Sequence, residues 1–161
     1  AHEITLGAKR ATRRLIGFAV RCNGASDWTW HKMTGRDGRT LMERFPAVTF
    51  YDYTKNPHTM RAFADGKLPA NYHVTFSRSE RNEAECLEAL SRGVNVAVVF
   101  DVKRGHALPE TYYGRPVLDG DISDLRFRDP RDAQGYVIGL RAKGTARRPE
   151  AVASGFVVHC R

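Results

Sequence analysis

The fold is decided by the stretch RNEAECLEALSRGVNVAVVFD, residues 81–101. Its first half predicts a helix over residues 81–92, and Gly93 is a natural place for that helix to stop. Residues 94–100 are almost wholly apolar, which is typical of a strand covered on both faces in a parallel sheet. A helix followed by a buried strand is the repeating unit of an α/β fold. Three apolar side chains of the helix are expected to face inward: Ala84, Leu87 and Leu90.

The same alternation of helix and strand extends towards the N-terminus. Runs rich in β-branched and aromatic residues predict three further strands, at residues 18–22, 47–53 and 72–77. Residues 2–14 are predicted to form a helix because apolar residues recur there at near-helical spacing. Those apolar residues are Ile4, Ala8, Ala11 and Leu15.

Two helix starts can be identified from capping residues. Thr40 and Glu43 have the spacing of a capping box, and Pro46 ends the short helix that they begin. Asn56 suits the N-cap of the next helix, and Pro57 suits its first position. Four strands, each next to a helix, describe right-handed βαβ crossovers and a mostly parallel sheet.

After Asp101 the sequence becomes irregular, with many glycines and prolines, and then predicts two more strands at residues 136–140 and 156–158. A chain of 161 residues lies within the usual size of one domain, and no linker or repeat divides it. We therefore expect residues 1–161 to form a single α/β domain of repeated βα units with an irregular, β-rich C-terminal part. The sequence is compatible with its being the C-terminal portion of a longer protein.

The chain is basic, with 26 Lys and Arg against 18 Asp and Glu and a formal net charge of +8. The excess is concentrated in two clusters, one of Lys9, Arg10, Arg13, Arg14 and Arg21 and one of Arg141, Lys143, Arg147 and Arg148. Such clusters indicate nucleic-acid or phosphate binding. They are equally compatible with a solvated surface that keeps the protein soluble.

No apolar run has the length of a membrane span, and the N-terminus lacks the pattern of a signal peptide. These features predict a cytoplasmic protein without a membrane partner. Cys22, Cys86 and Cys160 are far apart and odd in number, so neither a disulfide framework nor a zinc or iron–sulfur site can be identified. Reduced thiols are expected, and the oligomeric state is left open.

Polar residues follow the predicted strands where a parallel sheet binds its ligands, beyond the carboxyl ends of the strands. The ligand-binding candidates are Asn23, Ser26, Asp27, Thr54, Lys55, Ser77, Arg78 and Lys143. The catalytic candidates are Asp27, Lys55 and Glu80. Lys55 can hold a phosphate or carboxylate, or act as a base if desolvated. Alternatively, Ser77 and Glu80 cap the next helix, and Asp27 is a turn residue.

Asp119, Asp121 and Asp124 place three carboxylates within six residues. Hard cations such as Mg²⁺ prefer oxygen ligands of this kind, so the cluster is a candidate metal site. If Asp121 or Asp124 lies near Arg126 or Lys143, a structural ion pair explains the cluster instead.

Several segments together carry a family resemblance. They are VRCNGASD (residues 20–27), FP (45–46), FYDYTKN (50–56), NYHVTFSRS (71–79), VLDGD (117–121), DLRF (124–127) and GLRAKG (139–144). Through them the chain resembles a family of uncharacterised bacteriophage proteins, the gene-product-88-like proteins. It is also similar to phage proteins related to radical-SAM enzymes, which implies a partial (β/α) barrel. Those relatives carry an upstream cysteine-rich segment that this sequence does not have, so no iron–sulfur cluster is expected here.

Three functions follow as hypotheses. The first is a phage-associated protein that binds nucleic acid or a phosphorylated ligand at the carboxyl rim of the sheet. The second is a phosphoryl-transfer or hydrolytic enzyme that uses Mg²⁺ on Asp119, Asp121 and Asp124. The third is a non-catalytic protein that binds a host protein. The chain has no P-loop, dinucleotide-binding or nucleophile-elbow motif that would select among them.

Overall fold

A computed structural model describes residues 1–14, 17–24 and 26–160 of the chain. Within them the helices are α1 His2–Arg13, α2 Leu41–Arg44, α3 Pro57–Ala64, α4 Glu83–Ser91 and α5 Pro149–Ala153. The strands are β1 Ala19–Arg21, β2 Thr49–Thr54, β3 Tyr72–Ser77, β4 Val96–Phe100, β5 Thr111–Tyr112, β6 Arg115–Asp119, β7 Val137–Arg141 and β8 Val157–Val158. Three short 3₁₀ turns lie at Trp30–Lys32, Arg126–Arg128 and Gly144–Arg147.

The strands form one sheet in the order β1-β2-β3-β4-β7-β6-β5, and β8 pairs with β4. Every pairing is parallel except that of β5 with β6, so the predicted mostly parallel α/β sheet is confirmed. Strand β7 pairs along one side of β4. The other side of β4 is shared by β3, which pairs at Val96, and by β8, which pairs at Val99. The sheet does not close into a barrel, and its topology gives no support to the radical-SAM-like barrel that the resemblance implies.

Helices pack on one face of the sheet, which we call the covered face. Phe76, Val96, Val98 and Phe100 on this face have essentially no exposed surface, and Met60 of α3 packs against them. Cys86, Ala89 and Leu90 of α4 complete this part of the core, and α1 packs over β2 through Ile4 and Ala8. Each fully buried Phe or Leu side chain contributes about 1.5–3 kcal/mol, so this face provides most of the hydrophobic stabilisation.

The opposite face, which we call the open face, is covered only in part. Strand pairing places Arg21, Tyr51, Tyr53, His73, Ser77, Ala97, Val99 and Leu140 on it. Over the amino half, Phe127 packs against the rings of Tyr51 and His73, with centroids 5.6 and 6.0 Å away. Over the carboxyl half, Val99 and Leu140 remain partly exposed. The prediction that residues 94–100 are covered on both faces is therefore wrong at Val99.

The helix starts are confirmed at α2 and α3. Thr40 and Glu43 form the predicted capping box, and the Asn56 side chain accepts hydrogen bonds from His58 N and Thr59 N ahead of the buried turn of α3. The predicted cap by Ser77 and Glu80 is wrong, because α4 begins only at Glu83.

The inward face of α4 also differs from the prediction. Leu90 is buried as expected, but Ala84 is exposed and Leu87 is 46% exposed. The buried positions are Cys86, Ala89 and Leu90, which recur at the i, i+3, i+4 spacing of one helix face. The predicted helix over residues 2–14 is confirmed as α1, whereas Leu15 lies outside the described residues.

A β-hairpin occupies the irregular stretch after Asp101. Strands β5 and β6 are joined by Tyr113 and Gly114, which both have positive φ, 53° and 67°. Two such residues form the type I′ turn that matches the twist of a hairpin. No helix among the described residues has the length and apolar content to cross a membrane.

Candidate ligand-binding groove

Three cavities lie side by side along the carboxyl ends of the strands. The loop cavity, of about 350 Å³, lies at the ends of β1, β2 and β3. The slot, of about 550 Å³, lies on the open face and shares Arg21, Tyr53 and Ser77 with the loop cavity. The C-terminal cavity, of about 950 Å³, lies at the ends of β6 and β7 and shares Asp121 and Lys143 with the slot. We call the three together the carboxyl-edge groove.

Asn23 organises the loop that forms one wall of the loop cavity. It is only 3% exposed, and its Oδ1 accepts hydrogen bonds from Ser26 Oγ at 2.9 Å, Trp28 N at 3.1 Å and Trp30 Nε1 at 2.9 Å. Its Nδ2 donates to Trp28 O at 3.1 Å. The side chains of Asn23 and Ser26 therefore hold the loop in place. The sequence indicates only a polar loop here and does not show that these two side chains form hydrogen bonds within it.

Asp27 ties that loop to the end of β2. Its carboxylate accepts hydrogen bonds from Thr54 Oγ at 2.6 Å and from Lys55 N at 2.7 Å. These two bonds fix the backbone from which the Lys55 side chain projects. Lys55 Nζ lies 5.2 Å from the centroid of the Phe156 ring and, among the described residues, forms no ion pair. Lys55 is therefore a positioned cation that can meet an anionic ligand.

Arg21 lies between the loop cavity and the slot. Its Cζ is 4.6 Å from the centroid of the Tyr53 ring, and its Nη1 is 3.4 Å from Asp124 Oδ2. Tyr53 donates its hydroxyl to the other oxygen of Asp124 at 3.4 Å. Both contacts are long for hydrogen bonds and lie at the surface, so they stabilise the arrangement weakly. Burial raises the pKa of Tyr53 to about 12, which keeps its hydroxyl protonated at neutral pH.

The C-terminal cavity contains a network of charged side chains. Arg141 Nη1 lies 2.9 Å from Asp119 Oδ1 and 3.0 Å from Asp121 Oδ2, and Lys143 Nζ lies 2.7 Å from Asp121 Oδ1. The Arg141 hydrogen bond holds the pKa of Asp119 below its usual value. For Asp121 the cost of burial is outweighed by Lys143 and Arg141, and its pKa is also lowered. Both carboxylates are therefore ionised and paired at neutral pH.

These ion pairs bear on the predicted metal site. Asp124 faces Arg21 and Tyr53 rather than the other two carboxylates, and Lys143 forms the ion pair with Asp121 that was the alternative explanation. In the part of the chain that the structure describes, no group of three His, Cys, Asp or Glu side chains is placed to hold a metal ion. Mg²⁺ binding by Asp119, Asp121 and Asp124 stays a prediction that a calorimetric titration would test, and the ion would have to displace Arg141 and Lys143.

The structure groups most of the predicted site residues. Six of them lie around the loop cavity: Asn23, Ser26, Asp27, Thr54, Lys55 and Ser77. Lys143 lines the slot and the C-terminal cavity. Arg78 lies apart from them, because its Nη1 donates to Gly155 O at 2.8 Å and Phe156 O at 3.0 Å and so holds the chain that enters β8. Glu80 is exposed and lines none of the three cavities.

Several groove residues were not among the predicted ligand-binding residues, although Arg21 and Arg147 belong to the two predicted basic clusters. Arg21 is the last residue of β1 and Tyr53 the last but one of β2, and both lie on the open face, a position that the two-residue period of a strand could have indicated. Arg104, Arg147 and Phe156 reach the groove from segments far apart in sequence. Among the described residues, neither Arg104 nor Arg147 forms an ion pair, so the C-terminal cavity presents unpaired positive charge.

Comparison with known proteins yields one family. The family model described as Gene product 88 matches residues 1–160. No curated protein and no solved structure matches the chain. The family description names no reaction or ligand, so the function has to be argued from the groove.

Proposed function

Given that the chain belongs to the gene product 88 family of phage gene products, we propose that it binds nucleic acid, or another phosphorylated ligand, in the carboxyl-edge groove. The observation that carries this proposal is the row of cations along a continuous groove. Lys55 lies at one end, Arg21 and Lys143 line the middle, and Arg104 and Arg147 lie at the other end. A chain of phosphates would meet at least one cation in each of the three cavities.

The unpaired cations matter most for this proposal. Lys143 and Arg141 are already neutralised in part by Asp119 and Asp121, and Arg21 has Asp124 nearby. Within the described residues, Lys55, Arg104 and Arg147 form no ion pair with a carboxylate. A phosphate binding to these three would replace bound counterions rather than break internal ion pairs, which is the usual source of nucleic-acid affinity.

The experiment is fluorescence anisotropy with labelled single- and double-stranded DNA and RNA. We expect binding that falls by orders of magnitude between about 50 and about 200 mM salt. The double variant Lys55→Ala with Arg104→Ala should weaken binding and make the slope of log affinity against log salt shallower by about 2. Neither side chain forms a hydrogen bond within the described residues, so the fold should be retained.

The matched control is Lys32→Ala with Arg36→Ala, two exposed cations outside both basic clusters and outside the three cavities, which removes the same two charge types. It should retain the affinity and the salt slope of the parent protein. Equal weakening by both double variants would mean that net charge alone attracts the ligand, and the groove would lose its role. Absence of binding at low salt would contradict the proposal altogether.

A further inference from the structure

The slot has an apolar floor that the fold leaves uncovered. Val99 of β4 and Leu140 of β7 are partly exposed and line it from the open face, next to Ala97 of β4, which is itself 4% exposed. β4 has neighbours on both sides, yet Val99 is partly exposed while Val98 and Phe100 are fully buried. Parallel sheets are normally covered on both faces. An uncovered apolar floor at the centre of the sheet therefore points to a ligand that covers it.

The walls of the slot combine an apolar side with a polar side. Phe156 and Ala146 line it from the C-terminal segments, and the Tyr53 ring lines it from β2. Ser77, Ser123 and Asp124 add hydroxyl and carboxylate oxygens at its edges. With about 550 Å³, the slot lies within the usual range for pockets that hold small-molecule ligands.

Charge on either side of the slot restricts the chemistry of the ligand. The slot opens into the loop cavity, which contains Lys55, and into the C-terminal cavity, which contains Arg104. Arg21 and Lys143 line the junctions with those cavities. A flat apolar group with polar edges in the slot, joined to anionic groups on both sides, matches these walls. A nucleobase within a strand has this chemistry, because its faces are apolar, its edges form hydrogen bonds and phosphates flank it.

Resting on the proposed function, we infer that the slot takes one unpaired nucleobase of a single-stranded nucleic acid. The base lies against Val99 and Leu140 beside the Tyr53 and Phe156 rings. The phosphates on its two sides lie near Lys55 and near Arg104. A base inside a duplex has both faces stacked and its pairing edge occupied, so it cannot enter the slot. The protein therefore selects single strands, whereas charge alone would also bind duplexes.

The test compares three labelled probes of equal length by anisotropy: a single strand, a duplex, and an abasic strand that keeps every phosphate. We expect the single strand to bind at least about tenfold more tightly than the abasic strand or the duplex. One base stacked on aromatic side chains contributes an affinity of about this size in other single-strand-binding proteins. Ala146→Leu fills the slot without changing charge and should weaken single-strand binding about 5- to 100-fold. Its affinity for the abasic strand should stay at the parent value.

Two further variants complete the design. Val99→Phe fills the floor of the slot and should weaken single-strand binding as Ala146→Leu does. It replaces Ala146→Leu in the test if the turn that carries Ala146 does not tolerate leucine. Ala84→Leu adds the same bulk on the exposed side of α4, outside the three cavities, and should leave single-strand binding unchanged. Far-ultraviolet circular dichroism and urea unfolding confirm that each variant is folded.

The outcomes separate the two proposals. Equal binding of all three probes, or single-strand affinity retained by both folded slot-filling variants, would overturn the nucleobase slot while groove binding stands. If no probe binds at low salt, both proposals are wrong.

Discussion

Asp52 lies on β2 with no exposed surface although it carries a carboxyl group. One of its oxygens accepts a hydrogen bond from Asn23 N at 2.6 Å, and the other accepts one from the Tyr72 hydroxyl at 2.9 Å. Burial nevertheless outweighs these two bonds and raises the pKa of Asp52 above its usual value. Burial, with a smaller contribution from Asp52, also raises the pKa of the neighbouring Cys22 to about 12. The covered face thus holds an acid that resists ionisation next to the loop that builds the groove.

The raised pKa of Asp52 predicts a pH-dependent contribution to stability. Between the usual Asp pKa of 3.8 and the raised value, the folded state holds a proton that the unfolded state has lost. The contribution of Asp52 to the free energy of unfolding therefore falls as the pH rises through this window. Asn can keep both partners, because its oxygen can accept from Asn23 N and its amide can donate to the Tyr72 oxygen. Asp52→Asn should thus lose this pH dependence.

Urea unfolding of the parent and of Asp52→Asn across the acidic range measures this difference. The stability of the parent relative to the variant should decline from low to neutral pH. A constant difference would mean that Asp52 does not titrate in the folded protein in that range, and the argument from burial would be wrong.

At the scale of elements, Gly93 connects α4 to β4 under tight constraints. Its φ is +73°, and a Cβ added there would lie 2.6 Å from Asp132 O. The positive φ is typical of a glycine at a helix C-terminus, and the sequence indicates this constraint. The second comes from a loop about forty residues later in the chain and is invisible in the local sequence.

Gly93→Ala is expected to destabilise the protein. The left-handed conformation alone costs a non-glycine residue about 1–3 kcal/mol, and the contact with Asp132 O adds to this cost because backbone cannot move away easily. Urea denaturation should show a lower midpoint. Gly17→Ala is the control, because a Cβ at Gly17 has no atom within 4 Å. Equal midpoints for the two variants would contradict the strain assigned to Gly93.

Elements differ in how far the sequence determines them. The capping box of α2 and the Asn56–Pro57 start of α3 depend on residues within one turn, and both are confirmed. The prediction of the inward face of α4 is wrong at Ala84 and Leu87, because packing against the sheet determines which side of the helix is buried. The β5–β6 hairpin was missed because its glycines and prolines also suit an irregular loop.

At the scale of the whole molecule, the three cysteines differ in exposure. Cys86 is fully buried, Cys22 is partly buried and Cys160 is exposed, and none forms a disulfide. Burial raises the pKa of both Cys22 and Cys86 to about 12, so neither thiolate is populated at neutral pH. Since the thiolate is the reactive form, the fold protects two of the three thiols.

We therefore predict one accessible thiol in the folded protein. A colorimetric thiol reagent at neutral pH should react first with Cys160 and with the other two only as the chain unfolds in denaturant. Cys160→Ser should remove the first phase and leave the other two thiols protected. Rapid reaction of three thiols in the native protein would show that the covered face opens much more readily than its packing indicates.

The sequence by itself determined the mostly parallel α/β sheet and the neighbourhood of the loop cavity. An apolar strand such as residues 94–100 and a helix cap such as Asn56 can be identified from the sequence, because each depends on residues that are neighbours in the chain. The grouping of Asp27, Lys55 and Ser77 follows from one rule of parallel sheets, because the carboxyl ends of their strands meet at one edge.

Only the tertiary structure decided what the rest of that edge looks like. Whether Val99 is covered depends on how far the segment carrying Phe127 extends across the open face, and no local pattern records that distance. The pairing of Lys143 with Asp121, and the absence of such a pair at Lys55 within the described residues, depend likewise on residues far apart in sequence. Side-chain chemistry is local, whereas cover and charge compensation depend on contacts between distant segments, which form only when the chain folds.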